Sequence, residues 1–271
     1  MTLFTIDEKR CRKDGICAAE CPMGIIAWQK GQIPVPVKGA RDMCIACGHC
    51  VSACPHEALS LDTMTPADCL PVDPAMALSR EQAEHFLRAR RSVRNFKEES
   101  IDRKTLAELI RVASHAPSGH NSQPVYWQVL SGREVIRPYT TMVIDWMSAM
   151  IAAQPEMAAA MHLDMIVGAW NMGMDVVTRN APNLILATGK AANPMAPDAC
   201  KIAMTYLDMA AQSFGVGTCW CGYFYRAALS HDPLKQALGL GNSMKVHGVM
   251  MAGYPRNTYR RMPPRQSPRI A

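Results

Sequence analysis

A cysteine motif that occurs twice near the start of the chain limits what this protein can be more than any other feature. The first copy is Cys11-x-x-Asp14-Gly15-x-Cys17-x-x-x-Cys21-Pro22, and the second is Cys44-x-x-Cys47-Gly48-x-Cys50-x-x-x-Cys54-Pro55. The two copies are offset by 33 residues throughout. Soft thiolates at such short, regular spacings are typical of metal ligands. The repeat therefore predicts two related metal sites.

The second copy has the spacing of bacterial iron–sulfur proteins, in which the cysteine before proline ligates the other cluster. This exchange predicts one cluster on Cys21, Cys44, Cys47 and Cys50, called cluster 2, and another, cluster 1, on Cys11, Cys17, Cys54 and the Asp14 position. Zinc is the competing interpretation, because Cys-x-x-Cys pairs also build tetrahedral sites. Zinc requires neither the third cysteine nor the exchange. Residues 1–60 resemble a two-cluster bacterial ferredoxin.

Asp14 stands in the first copy where Cys47 stands in the second, so cluster 1 is one cysteine short. The resemblance to ferredoxins with Asp at this position implies that the carboxylate ligates iron. Alternatives are a [3Fe-4S] cluster in place of [4Fe-4S], or a fourth ligand from outside the chain. A turn in which Asp14 binds no metal is also open. The alignment of the two copies favours a ligand position.

Length, hydropathy and cysteine usage narrow the class of protein. The chain has 271 residues, of which 49% are hydrophobic, enough for one large domain or two smaller ones. We find no apolar run long enough to span a bilayer and no signal-peptide pattern, which predicts a protein of the reduced cytoplasm. The remaining cysteines lack ligand spacing and are not assigned to a cluster: Cys69, Cys200, Cys219 and Cys221.

The net charge of +6 lies outside the cysteine-rich region. Residues 1–64 hold seven Lys and Arg against seven Asp and Glu, whereas the downstream part contains two arginine patches. These patches are Arg88, Arg90, Arg91 and Arg94, and Arg256, Arg260, Arg261, Arg265 and Arg269. Without an aromatic platform or a DNA-binding motif, they favour a compact phosphate ligand over nucleic acid.

The chain is predicted to consist of a cluster module at 1–64, a Pro-rich extended linker at 65–79, and an α+β domain at 80–271. Ser79 and Gln82 form a capping box for a helix to about Arg91, and Asp102 can cap a second helix. Strands are expected around 125–129, 183–188 and 246–253, with helical segments between about 134 and 180 and an amphipathic helix at 198–214. This predicts a sheet flanked by helices.

Four motifs in order resemble the FMN-dependent nitroreductase family over residues 86–271. They are Arg90-Arg91-Ser92-Val93-Arg94-Asn95-Phe96, Ala116-Pro117-Ser118-Gly119-His120-Asn121-Ser122-Gln123-Pro124, Gly215-Val216-Gly217-Thr218-Cys219-Trp220 and Gly253-Tyr254-Pro255. The resemblance implies a fold with a central mixed or antiparallel sheet, bound FMN, and a homodimer with sites at the subunit interface. Arginine forks suit a dianionic phosphate, and the amides of Asn121 and Gln123 suit a polar ring edge.

The same resemblance implies roles for individual residues. Arg90, Ser92 and Arg94 would bind the FMN phosphate and ribityl chain, with Arg91 beside them and Arg261 closing on the same phosphate. Pro117, Ser118 and Asn121 would contact FMN bound mainly by the other subunit, with Gln123 near the ring. Cys221 and Gly222 would line the isoalloxazine through backbone groups. We further expect Arg90 and Arg94, four residues apart, to share one face of a helix end.

No clear acid–base pair emerges, and His120 is a weak candidate proton donor that more often would satisfy a local hydrogen bond. The combined interpretation is an enzyme that passes electrons between two clusters and FMN and reduces a small nitro compound, quinone or activated alkene by hydride transfer. NAD(P)H use stays open, although there is no Gly-x-Gly-x-x-Gly fingerprint. The alternatives are an electron carrier that relays to a redox partner protein, and a flavin that oxidises a substrate while the clusters export electrons.

Overall fold

The computed structural model describes residues 2–270, which separate into two compact units. The first unit comprises residues 2–78 together with His120–Ser122, and the second comprises Ser79–Gly119 and residues 123–270. Each unit has its own hydrophobic core. No helix within residues 2–270 combines the length and apolar character that crossing a bilayer requires.

The first unit consists of short elements around the cysteine motifs. Strands β1 (Phe4–Ile6) and β4 (Leu59–Leu61) pair antiparallel, as do β2 (Ile26–Ala27) and β3 (Val35–Pro36). Its three helices have one turn each: α1 (Ile16–Ala19), α2 (Ala40–Met43) and α3 (His49–Ser52). A small core that includes Phe4, Leu59 and the buried Cys17 and Cys50 joins them.

The two copies of the motif have the same backbone conformation. Helices α1 and α3 each follow a glycine with positive φ, Gly15 at 81° and Gly48 at 74°. The residues two positions before these glycines, Lys13 and Ala46, also have positive φ, at 59° and 49°. In both copies the cysteine before proline donates its N–H to a carbonyl three residues earlier. The sequence repeat is therefore also a structural repeat.

The Pro-rich segment after the first unit's core is not extended throughout. It contains two single-turn 3₁₀ helices, Pro66–Asp68 and Pro74–Met76, and Thr65 and Asp68 close the first of them with reciprocal hydrogen bonds. Proline at the first helical position has its φ already set for a helical turn, which favours these turns over a continuous extended strand.

The second unit opens with the two helices that the sequence predicts. Helix α4 (Arg80–Ala89) begins at the Ser79–Gln82 capping box, and its N-cap hydroxyl accepts the Gln82 N–H at 3.2 Å. Helix α5 (Arg103–Ala113) begins at Asp102, which accepts the Thr105 N–H at 2.9 Å. Helix α5 buries Leu106, Leu109 and Ala113, whereas α4 has no buried residue.

A four-stranded antiparallel sheet forms the centre of the second unit, in the order β5-β6-β8-β7. The strands are β5 (Tyr126–Ser131), β6 (Asn183–Lys190), β7 (Gly217–Trp220) and β8 (Met244–Gly253). Seven of the eight residues of β6 are buried, because both faces of this central strand are covered. The antiparallel form of the predicted sheet is therefore the one observed.

Helices cover both faces of this sheet. They are α6 (Arg133–Ala153), α7 (Pro155–Ala160), α8 (Leu163–Asn171), α9 (Ala196–Ala211), α10 (Gly222–Ser230) and α11 (Asp232–Ala237). One core cluster joins the sheet to α6, α8 and α10, and a second joins it to α5 and α9. The predicted α+β class, a sheet flanked by helices, is confirmed.

Candidate functional site

Four side chains expected at cluster 1 lie close together in the first unit. Burial raises the pKa of the Cys17 thiol, and the neighbouring Cys54, Cys11 and Asp14 raise it further. These four residues are the ligands predicted for cluster 1 when the cysteine before proline in one copy of the motif ligates the cluster of the other copy. Each of the three cysteines becomes an anion when it binds a metal, so a cationic cluster would offset their mutual repulsion.

The four cysteines expected at cluster 2 form an equivalent group. Burial raises the pKa of the Cys50 thiol to about 11, with further contributions from Cys21, Cys47 and Cys44. The same four cysteines line one cleft, together with apolar side chains of the first unit's core that include Phe4, Ile26 and Leu61. Four thiols with an apolar remainder are the donor chemistry that a four-iron cluster takes, with one ligand on each iron.

Backbone N–H groups point at two of these sulfur atoms. The Ala46 N–H donates to Cys44 Sγ at 3.4 Å, and the Ala58 N–H donates to Cys54 Sγ at 3.4 Å. Hydrogen bonds to ligand sulfur atoms are one of the factors that set a cluster's reduction potential. Across residues 2–270, no group of three or more His, Cys, Asp or Glu side chains is arranged to hold a single metal ion.

Asp14 makes two polar contacts within the first unit. Its Oδ1 accepts the Ile16 N–H at 3.2 Å, and its Oδ2 lies 3.4 Å from Nε2 of His56. His56 was not singled out by the sequence, although it directly follows the Cys54-Pro55 pair. Asp14 thus lies near the cluster 1 cysteines, while its Oδ1 is bonded to the N–H of the first residue of α1.

The arginine-rich segment 90–94 does not form a helix end, contrary to our expectation for Arg90 and Arg94. Helix α4 ends at Ala89, and Ser92 instead pairs with Thr218 of β7 in a parallel bridge. Arg90 Nη1 lies 3.5 Å from Oδ2 of Asp208, whereas Arg94 is exposed and its Nη1 reaches the Ser92 carbonyl at 3.4 Å. This pairing of Ser92 with the sheet edge takes the place of the expected helix end.

Arg91 contains a buried donor without a partner. Its Nη2 donates to the Arg88 carbonyl, but its Nε has no hydrogen-bond partner. Within residues 2–270, the only other buried side-chain nitrogen or oxygen in this state is Nε2 of His247. A buried N–H that lacks an acceptor is costly, and an anionic ligand at this segment would supply one.

The C-terminal tail runs beside the same segment. The Lys97 N–H donates to the Tyr254 carbonyl at 2.9 Å, and the Arg256 N–H donates to the Asn95 carbonyl at 3.0 Å. Further along, the Tyr259 hydroxyl donates to the Ser92 carbonyl at 3.3 Å. Arg261 follows Tyr259 by two residues and is exposed.

The loop expected at the flavin closes on itself through two of its predicted residues. The Gln123 N–H donates to Ser118 Oγ at 3.0 Å, and Pro117, Ser118 and Gln123 line a cleft of about 310 Å³ with apolar residues of α5, β5 and α9. His120, Asn121 and Gln123 all have positive φ, at 53°, 50° and 41°. Non-glycine residues in this region are strained, which is typical of functional loops.

His120 and Asn121 belong to the three loop residues counted with the first unit. Within that unit, the Asn121 side-chain amide donates to the carbonyls of Ile45 and Ala46, at 3.2 Å and 3.1 Å. Ile45 and Ala46 lie between the ligand positions Cys44 and Cys47, so Asn121 contacts the backbone of the cluster 2 motif. His120 is exposed.

Cys221 and Gly222 lie where β7 leads into α10. The Cys221 N–H donates to the Val249 carbonyl at 2.8 Å, its carbonyl accepts the Tyr225 N–H at 3.0 Å, and its thiol donates to the Val177 carbonyl at 3.3 Å. Burial raises the pKa of this thiol to about 12. The backbone groups of Cys221 are thus already bonded within the protein, whereas Gly222 is exposed and has open space at its Cβ position.

Asp208 is the polar residue near the arginine segment that sequence analysis missed. It lies on α9 beside Leu207, and its Oδ1 accepts a hydrogen bond from the Thr218 hydroxyl. The sequence pattern could have identified Asp208, because it is an acidic residue on the apolar face of a predicted amphipathic helix. A buried carboxylate needs compensating partners, so such a position indicates a polar contact in the core.

Family models match both parts of the chain. The model of the nitroreductase family matches residues 87–254, and the model of a 4Fe-4S dicluster domain matches residues 3–55. The chain belongs to the nitroreductase family. This member of the family has a 4Fe-4S dicluster domain before its nitroreductase domain, which confirms the fused architecture that the motifs predict.

Curated relatives of this nitroreductase-family chain match it over different lengths. A putative NADH dehydrogenase/NAD(P)H nitroreductase of Archaeoglobus fulgidus is 23% identical over 65% of the chain and 87% of the relative. Nitroreductase NfnB of Mycolicibacterium smegmatis is 36% identical over 23% of the chain. 4-Nitrobenzoate reductase of a Nocardioides species is 35% identical over 26% of the chain. The chain spans only 26% and 31% of the lengths of these last two relatives.

Solved structures share the fold of the second unit. A nitroreductase with bound FMN from Bacteroides fragilis has a TM-score of 0.58 at 19% identity, covering 70% of the chain and 97% of that structure. A BluB-like flavoprotein from Clostridium difficile has a TM-score of 0.56 at 17% identity, covering 71% and 96%. At these identities the similarity establishes the nitroreductase fold.

Proposed function

We propose that this protein is an FMN-dependent oxidoreductase whose two iron–sulfur clusters exchange electrons with the flavin, and that it reduces a small electrophilic acceptor. Bound FMN supplies hydride transfer to a nitro compound, quinone or activated alkene, and clusters supply single-electron transfer. The observation that carries the proposal is the grouping of Cys11, Asp14 and Cys54 near Cys17, and of Cys21, Cys44 and Cys47 near Cys50, in a chain that belongs to the nitroreductase family.

The ligand assignment for the clusters is part of the proposal. Cluster 1 takes Cys11, Cys17, Cys54 and Asp14, and cluster 2 takes Cys21, Cys44, Cys47 and Cys50. The electrostatic neighbours of Cys17 and of Cys50 support this crossed assignment over one in which each copy of the motif holds its own metal.

The proposed phosphate site combines Arg90, Arg91, Ser92, Arg94 and Arg261. Its support is the unpartnered buried Nε of Arg91, the exposed guanidinium of Arg94, and a tail held beside Ser92 by Tyr259. These residues would bind and orient the phosphate and ribityl chain. Pro117, Ser118, Asn121, Gln123 and Gly222 complete the proposed flavin contacts, and Pro117, Ser118 and Asn121 would face the flavin of the partner subunit in a homodimer. Cys221 is not included, because its backbone groups are bonded within the protein. We place the protein in the cytoplasm, where thiol ligands stay reduced.

The function is tested by anaerobic stopped-flow measurements on the full chain. The reduced protein is mixed with a nitroarene, a quinone or an activated alkene, and flavin and cluster absorbance are followed separately. The reference is an Arg90→Gln/Arg94→Gln variant from which the flavin has been removed, so that only its clusters can react. We expect at least one acceptor to reoxidise the flavin of the wild-type protein about tenfold faster than it reoxidises the clusters of this variant. Cys47→Ser, which leaves the flavin residues intact, should keep that fast phase but lose electron delivery from reduced methyl viologen.

Two outcomes would overturn the proposal. If no small acceptor reoxidises flavin faster than the clusters of the flavin-free variant, the protein is an electron carrier that serves a redox partner protein. If flavin is reduced by a substrate and electrons leave only through the clusters, the direction of flow is the reverse. NADH and NADPH are included as donors, because one relative is named as an NAD(P)H nitroreductase.

The composition of cluster 1 gives a separate prediction about Asp14. If the carboxylate is a ligand, cluster 1 should lose one iron on mild oxidation more readily than cluster 2, because an oxygen ligand is a poorer match for this cluster than a thiolate. Asp14→Cys should abolish the resulting three-iron EPR signal. Asp73→Cys, which adds a thiol in the Pro-rich segment, is the matched control and should retain the signal. Identical spectra for wild type and Asp14→Cys would exclude a ligand role.

A further inference from the structure

Asp208 is a buried carboxylate on a helix face that is otherwise apolar. Its neighbours Leu207 and Ala211 on α9 are buried, and its own side chain is only 9% exposed. Removing a carboxylate from water costs free energy unless hydrogen bonds and an opposite charge compensate it. The partners of Asp208 therefore indicate its role.

Two partners reach Asp208 from different parts of the second unit. Its Oδ1 accepts the Thr218 hydroxyl, and its Oδ2 lies 3.5 Å from Nη1 of Arg90. The backbone carbonyl of Thr218 in turn accepts the Val93 N–H at 2.9 Å, next to the bridge between Ser92 and Thr218. One carboxylate thus connects the side chain of Arg90 with the strand that holds the backbone of residues 92 and 93.

Such a contact restricts Arg90 before any ligand binds. An arginine side chain has many rotamers, and holding it in one geometry reduces the entropy that a ligand would otherwise have to remove. The negative charge of Asp208 is itself unfavourable for a phosphate, so its benefit must act through the orientation of Arg90. Burial raises the pKa of Asp208, while the Thr218 hydroxyl and the Arg90 charge oppose that change.

We propose that Asp208 is a positioning residue of the phosphate site, which orients Arg90 directly and the Ser92 backbone through Thr218. This inference rests on the proposed function of Arg90 and Ser92 as ligands of the FMN phosphate. Asp208 contributes to recognition of the phosphate and not of the ring, so its effect should distinguish FMN from riboflavin, which lacks the phosphate.

The test measures binding of both flavins to the full chain after its flavin has been removed by dialysis. Asp208→Asn keeps the shape and an acceptor for Thr218 but removes the charge that holds Arg90. We expect the dissociation constant of FMN to rise about tenfold and that of riboflavin to change less than about twofold. Asp198→Asn, the same substitution at an exposed position of the same helix, is the matched control and should change neither.

A double-mutant cycle with Arg90→Gln separates positioning from general stability. In the Arg90→Gln background, Asp208→Asn should no longer change the ratio of FMN to riboflavin affinity, since the side chain it orients is absent. Equal losses for both flavins, or a full effect in both backgrounds, would overturn the inference. If Arg90→Gln alone does not weaken FMN selectively, the proposed phosphate site fails instead, so the two failures are distinguishable.

A second pair of variants covers the case in which Asp208→Asn does not fold. Thr218→Val removes the hydroxyl that orients the carboxylate and keeps the shape, whereas Thr218→Ser keeps a hydroxyl. We expect Thr218→Val to lower the FMN-to-riboflavin affinity ratio about threefold and Thr218→Ser to leave it unchanged. An unchanged ratio in Thr218→Val would overturn the proposal.

Discussion

At the scale of single residues, Cys200 and Cys221 show how burial alone decides the chemistry of a thiol. Both are buried in the core of the second unit, with 0% and 2% exposure. Burial raises their pKa to about 11 and about 12, from an ordinary 9.0. The thiolate is the reactive form, so these two cysteines are held in the inert form at physiological pH.

This leads to a labelling prediction. Iodoacetamide at about pH 8 should modify neither Cys200 nor Cys221 in the folded full chain, and peptide mapping should find both only after denaturation. Cys69, which is partly exposed, serves as the internal control and should be labelled in the folded protein. Labelling of Cys221 at the rate of Cys69 would show that the core around it opens.

The raised pKa of Cys221 also predicts the sign of a pH effect on stability. Its unfolded thiol ionises near 9.0 and its folded thiol near 12, so the folded state keeps the proton over that interval. Because the unfolded state loses its proton first, stability falls as pH rises from about 9 towards 12. In Cys221→Ala, chemical denaturation should show a shallower loss over the same interval. An unchanged slope would contradict the assignment to this thiol.

At the scale of elements, the three one-turn helices of the first unit each follow a glycine of the same backbone conformation, but the space around the three glycines differs. Each begins after a glycine in the left-handed region: Gly15 at φ 81°, Gly39 at 76° and Gly48 at 74°. A Cβ on Gly39 would meet nothing within 4 Å, on Gly48 it would meet Met64 Sδ at 2.7 Å, and on Gly15 it would meet the Trp28 ring at 2.6 Å. Alanine at Gly39 would therefore add backbone strain alone, whereas alanine at Gly48 or Gly15 would add a steric clash as well.

Alanine substitutions should follow that order. Gly39→Ala should cost about 1 kcal/mol of unfolding free energy from backbone strain alone. Gly48→Ala should cost slightly more, because a methionine side chain can move aside. Gly15→Ala should cost about 2 kcal/mol beyond Gly39→Ala, because the indole ring is rigid and also donates its Nε1–H to the Lys13 carbonyl.

Thermal unfolding and iron content of the full chain measure this series. Gly39→Ala is the matched control for both other variants, since it has the same backbone conformation without the clash. Equal losses in all three would mean that the Trp28 ring yields as readily as Met64.

Secondary structure at this scale followed closely from the sequence where local signals existed. The capping box at Ser79 and Gln82 and the cap at Asp102 begin α4 and α5 as predicted, because caps depend only on neighbouring residues. The expected helix end around Arg90 and Arg94 was wrong because Ser92 pairs with Thr218, far away in the chain. No local pattern can reveal such a partner.

At the scale of the whole molecule, the fused architecture was readable from motifs, and family models confirm it. The order of the strands in the sheet could not be predicted in this way, since β5 pairs with β6 across the segment that contains α6, α7 and α8, and β8 lies between β6 and β7. Strand order depends on which apolar faces meet once the helices have packed. Which faces meet depends on segments that are far apart in the sequence.

The sequence by itself determined the two cysteine motifs and their offset, and it predicts the crossed ligand sets, because cluster ligation depends on short spacings that the local backbone enforces. It also determined the order of the nitroreductase motifs. Only the tertiary structure decided that Arg90 faces Asp208, that Arg91 has a buried donor without an acceptor, and that Tyr259 holds the tail beside Ser92. The physical reason is that burial and charge compensation depend on residues far apart in the chain, which meet only when the core has formed.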